Sequence, residues 1–245
     1  MNITPDIKMA DVIHLNYSLL PVITRFNIDL GFGDKTVKEI CKDYDVNLDF
    51  FIEITNSYID DDYIPQKELN SFPVKLIVDY LKKTHSYYLD EKIPELNSFI
   101  VELSVISEVK NDSIQLVQNF FGEYREELIH HIEREENKVH PYVLNIEEAF
   151  TQNKASADIV KKIKSYSIND FAIEHDNVEE KLYDLKNIII KYLPPCKDKA
   201  LCTRILMELF RLEKDLNAHA LLEDKVLIPK VAKMEELLLN NFMER

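Results

Sequence analysis

The seven histidines of this chain are not scattered. His131-Ile-Glu-Arg-Glu135 and His219-Ala-Leu-Leu-Glu223 each set an imidazole and a carboxylate four residues apart. On a helix that spacing puts both side chains on one face, one turn apart. The two motifs continue alike: an acid follows at Glu136 or Asp224, and a proline stands ten residues after the histidine, at Pro141 or Pro229. Each has a histidine upstream, His85 lying 46 residues before His131 and His175 lying 44 before His219. A module of one histidine, about 45 residues and HxxxE is thus repeated once. Imidazoles and bridging carboxylates projecting from facing helices are the donors with which bundle cores hold paired iron or manganese.

The remaining candidates read differently. His130 adjoins His131 but points about 100° round the helix, toward solvent. His140 precedes a proline and is expected to pack or cap there, and His14 stands alone as a structural residue. Glu174 and Glu179, flanking His175, fit a solvated face, and Tyr87 and Tyr88 fit core or rim packing.

These residues need four helices to bring them together, and the sequence supplies them. Amphipathic segments run over about 73–108, 112–138, 168–193 and 198–225, with short breaks at Asn111-Asp-Ser113 and Pro194-Pro-Cys-Lys-Asp198. Residues 141–166 read as a longer crossover, and Pro94 is expected to kink the first helix. Short joins within each pair and one long crossover describe an antiparallel four-helix bundle. At ~1.5 Å per residue, the four histidines fall within about one turn of a common layer.

Ahead of the bundle, residues 1–62 read as a small helical domain, 63–72 as a linker and 73–245 as the bundle. Pro21 is expected to break the Ala10–Phe26 stretch. Thr36 with Glu39 forms a capping box, and Asn47 caps a further helix. Asp29-Leu-Gly-Phe-Gly-Asp34 is a compact turn holding two of the three glycines.

Composition excludes other classes. Three glycines cannot staff the turns of a β-rich fold, so the fold class is all-α. Thirty basic against 44 acidic residues give a net charge of −14, and no basic run exceeds two residues. No nucleic-acid or anionic-membrane partner is expected of such a surface. No apolar run approaches the ~20 residues of a membrane span. Cys41, Cys196 and Cys202 show no CxxC pair, which argues against a disulfide scaffold and for a reducing cytoplasm.

The pattern His85 … His131-x-x-x-Glu135 … His175 … His219-x-x-x-Glu223, with its acid and proline continuations, resembles the hemerythrin-like (HHE cation-binding) bundle over about residues 72–240. The stretch Val12–Asn47, through Ile28-Asp29, Thr36-Val37 and Glu39-Ile-Cys41, resembles the small domain that opens the iron–sulfur cluster repair (RIC) di-iron proteins. The resemblance implies two iron ions, with His85, His131, His175 and His219 as terminal ligands and Glu135 and Glu223 as bridges. Where oxygen-carrying hemerythrin has a further ligand, four after the third-helix histidine, this chain has Glu179. One departure stands out: the family's tandem cysteines after Ile-Asp are replaced by Leu30-Gly31-Phe32-Gly33, and Cys41 does not substitute for them.

Two functions follow as expectations. The first is repair of iron–sulfur clusters damaged by oxidative or nitrosative stress, by iron donation or nitric oxide handling, with iron–sulfur proteins as partners. The second is a sensor or carrier of O2, NO or peroxide without repair activity. With the thiols gone, the first domain is expected to act in docking or in forming a homodimer. Phe32 is expected to pack against its own domain, or else to serve as an exposed anchor.

Overall fold

The computed structural model describes residues 2–60, 63, 71–106, 112–154, 156–174 and 178–243. Apart from one isolated bridge between Lys8 and Thr36, the regular structure among these residues is helical. The chain divides into two compact units, Met1–Thr84 and His85–Arg245. Of the expected linker, residues 64–70 lie outside the described residues. The division at 84/85 falls within a helix, Val74–Ser86.

In the first unit, α1 (Met9–Leu15), a 3-10 turn (Tyr17–Leu19) and α2 (Leu20–Arg25) replace the single stretch read from apolar spacing. The break falls at Asn16, whose extended backbone ends α1 and whose side chain accepts from Ser18 N. Pro21 sits in the first turn of α2, where its missing N–H costs nothing. α3 (Val37–Asp43) opens on the expected capping box: Glu39 accepts from Thr36 N at 2.8 Å, and Glu39 N donates to Thr36 Oγ1. α4 (Leu48–Ile59) opens on Asn47, which accepts from Phe50 N at 3.0 Å. Phe26, Phe50, Phe51, Phe72 and Tyr80 form an aromatic core with edge-on contacts. In the turn before α3, Gly31 and Gly33 take φ of 104° and 59°, a region that a side chain rarely adopts. Phe32 between them is buried, so it is no exposed anchor; Leu30 is the exposed apolar residue of that turn.

The second unit is a bundle. It begins at His85, near the end of α5 (Val74–Ser86), and its first helix runs on through a π turn (Tyr87–Lys92) into α6 (Ile93–Ile106). α7 (Asp112–Arg134) runs through a second π turn (Glu135–Val139) into α8 (His140–Thr151). α9 (Ala157–Ser165), α10 (Ile168–Glu174) and α11 (Val178–Tyr192) follow. α12 (Lys199–Leu222) passes through a third π turn (Glu223–Leu227) into α13 (Ile228–Met243). Neighbours α6–α7, α7–α11, α11–α12 and α12–α6 close a ring of four. Leu96, Ile100, Phe121, Leu128, Leu182, Leu185, Leu209 and Leu216 fill it at helical spacing.

Three expectations are corrected here. The second helix does not end near 138: it continues through Pro141 to Thr151, and α9 follows, so the longer crossover read over 141–166 is largely helical. Likewise the fourth helix passes Pro229 and ends near 243 instead of 225. The prolines are absorbed because Pro94, Pro141 and Pro229 each stand two residues after a π turn. A turn widened to i→i+5 bonding removes the ring's clash with the carbonyl four residues back. Cys196 and Cys202 form a disulfide, their Cα atoms 6.6 Å apart, because the loop 193–198 folds back on the first turn of α12. Sequence spacing alone gave no sign of it, and Cys41 remains a buried free thiol.

Candidate metal centre

Glu135 stands at the start of the second π turn, one helical turn beyond His131, and is fully buried. Its two carboxylate oxygens face different imidazoles. Oε1 lies 3.0 Å from His131 Nε2. Oε2 lies 3.1 Å from His85 Nε2 and 3.9 Å from His219 Nε2. His85 Nε2 and His219 Nε2 are themselves 3.4 Å apart. Glu223, at the matching position of the third π turn, has Oε2 3.5 Å from His219 Nε2. Three helices therefore deliver three imidazole nitrogens and two carboxylates to one buried spot.

His85 is held on every side that the geometry allows. Its Nδ1 lies 2.9 Å from Glu136 Oε1. A carboxylate accepts, so this contact suits a hydrogen on Nδ1, and in that neutral tautomer the Nε2 lone pair faces inward. The His140 ring lies parallel to it, 5.5 Å between centroids and 6° between planes. Tyr88, on the first π turn, meets His219 edge-on at 6.0 Å.

Nitrogen lone pairs and carboxylate oxygens facing one another in a dry interior repel unless a positive charge lies among them. A proton answers that demand: burial opposes charge on His85, but Glu135 and then Glu136 outweigh it and hold the imidazole above the ordinary histidine value. A metal ion answers it better, since His85, Glu135 and His219 offer ligand atoms within 4.8 Å of one another. Imidazole and carboxylate without thiolate is the donor set of iron, manganese or zinc. His219 Nδ1 is buried without a hydrogen-bond partner among the described residues. The donor set fits a cation.

Of the six residues singled out by spacing, His85, His131, Glu135, His219 and Glu223 come together. His175, together with the side chains of Glu174 and Glu179, lies outside the described residues. His130 is exposed beside Glu133, as expected, and His14, read as structural, is exposed on α1. Sequence reasoning missed His140 as a neighbour of the centre and gave Glu136 no role. For Glu136 a signal existed, the acid repeated after both HxxxE motifs.

The sequence profile of the hemerythrin HHE cation binding domain matches residues 77–231. The chain is also similar to the iron-sulfur cluster repair protein ScdA of Staphylococcus haemolyticus, 18% identical over 215 residues that cover 85% of this chain and 90% of that protein. Among the described residues no helix is long and apolar enough to cross a membrane.

Proposed function

The chain belongs to the hemerythrin HHE cation-binding family, and from that premise we propose that it is a di-iron protein acting in the repair of iron–sulfur clusters damaged by oxidative or nitrosative stress. In this reading His85, His131, His175 and His219 are terminal ligands, and Glu135 and Glu223 bridge two iron ions. The observation that carries it is Glu135, whose two oxygens address imidazoles from separate helices as a bridging carboxylate must. Iron held there would supply one-electron chemistry and would offer a place for O2, NO or peroxide to bind. The chain's own part is to orient and to exclude water. Glu136 keeps the proton on His85 Nδ1 and the lone pair inward. Tyr88, which meets His219, belongs to the same buried cluster as the bundle leucines, an apolar surrounding that disfavours water.

A second reading has its own support. With Leu30-Gly31-Phe32-Gly33 in place of paired thiols, the first unit offers no soft ligands at that turn, which favours a sensor or carrier of O2 or NO. The first unit then acts in docking or dimerisation. A cytoplasmic location goes with both readings.

The deciding experiment begins with anaerobic ferrous reconstitution and elemental analysis of the full chain. Two irons per chain are expected; one zinc, or no retained metal, overturns the di-iron reading. Iron release to an apo iron–sulfur protein supports repair. Retention of iron with spectral changes on adding NO or O2 supports the sensor. Sedimentation of the full chain tests the dimer.

A further inference from the structure

We propose that His140 is a positioning residue of the metal centre: its ring fixes the plane of the His85 imidazole, and it makes the two halves of the duplicated site unequal. The inference rests on the di-iron reading above.

His140 opens α8 immediately after the second π turn and has no solvent exposure. Its ring lies over His85 with centroids 5.5 Å apart and planes 6° from parallel. That geometry separates positioning from ligation. The lone pairs of an imidazole lie in the ring plane, so two parallel rings aim theirs along separate planes and do not converge on one point. His85 Nε2, by contrast, converges with Glu135 Oε2 and His219 Nε2. A flat ring on its face and the Glu136 carboxylate on its Nδ1 together leave His85 one orientation.

The internal repeat supplies the contrast. Counting from the HxxxE histidine, Glu136 corresponds to Asp224 and His140 to Ile228. Both positions are buried at the first residue of the helix after a π turn. Where the first half carries a flat aromatic ring, the second carries a branched, acyclic aliphatic side chain. The His85 half therefore carries a flat ring at a position where the other half has none, and from this the two metal positions are expected to differ in affinity.

The test compares His140→Phe, which keeps a flat ring, with His140→Leu, which keeps burial without one. In the metal-free full chain, nuclear magnetic resonance of labelled histidines should show the His85 ring protons displaced in His140→Leu and held near their place in His140→Phe. In anaerobic ferrous titration, wild type should take two equivalents. His140→Leu should weaken one of them roughly 10–100-fold, the usual range for a group supporting a ligand, and leave the other unchanged. His140→Phe should retain both. If His140→Phe loses as much as His140→Leu, a ring nitrogen and not the ring plane is at work, and the proposal is wrong. Unmoved His85 signals in His140→Leu also overturn it. If the leucine variant fails to fold, retention of both equivalents by the phenylalanine variant still decides. Wild type taking no iron defeats the di-iron reading, whereas the metal-free spectra judge the stacking by themselves.

Discussion

His85 and Glu135, fifty residues apart in sequence, meet at 3.1 Å between Nε2 and Oε2 with both side chains sealed from solvent. The contact joins the first helix of the bundle to the second. It also leaves the other oxygen of Glu135 to His131 on its own helix. Much of what the centre can do passes through this one carboxylate.

Glu135→Ala should accordingly empty the site while the chain stays helical. A supporting group typically costs 10–100-fold in metal affinity, and a residue between three imidazoles should cost at least that. Glu223→Ala should also lose metal, whereas His130→Ala and His14→Ala should keep the wild-type content. Elemental analysis alongside far-ultraviolet circular dichroism checks this. A His130 variant that empties the site while His131→Ala does not would mean the helix phase is misassigned.

Lys92 and Glu208 form an ion pair between the first π turn and α12, with side-chain exposures of 11% and 9%. Burial alone would lower the lysine, but Glu208 and Glu95 outweigh it and raise it above its ordinary value. Lys92→Met should leave Glu208 buried with Arg211 as its remaining ion-pair partner, and should cost less than the ~3–5 kcal/mol of a buried charge left wholly unpaired. The double variant Lys92→Met, Glu208→Leu should recover most of that loss. Urea unfolding of the four proteins of the cycle gives the answer, and additive losses would count against the pair.

Glu235 on α13 accepts from Tyr142 Oη and from Ile168 N, which ties α8 and α10 to the last helix. Burial holds its carboxyl above the ordinary value of 4.5, even though those two donors pull the other way. The folded chain therefore keeps this proton at a pH where the unfolded chain has released it. Its contribution to stability is full below the ordinary carboxylate value and fades as pH rises through the raised one. Glu235→Gln should flatten that fall, read as melting temperature against pH from mildly acidic to neutral. An unchanged slope would remove Glu235 as its source.

Burial pushes the Cys41 thiol up to about 12, so at neutral pH it carries almost no thiolate. Native chain kept free of reductant should react with no thiol reagent. Denatured without reductant it should show one thiol, and after reduction three, since Cys196 and Cys202 are paired. Two reactive thiols in the native chain would show that the pair is open.

What the sequence determined by itself is local and periodic. HxxxE places its two side chains on one face because about 3.6 residues make a turn. Thr36 with Glu39, and Asn47, start helices because their side chains bond to N–H groups two or three residues on. The repeat of His85–Glu135 in His175–Glu223 is visible without coordinates. What only the tertiary structure decided depends on register. Nine residues at about 100° each put His140 roughly opposite His131 on an ideal helix. The π turn between them absorbs one extra residue and turns His140 back toward the centre. No residue type announces a π turn, since it arises from packing against neighbouring helices together with the need to pass a proline. The same holds for Glu135: that it carries one oxygen to its own helix and the other to His85 is a property of three helices meeting, which no spacing along one of them contains.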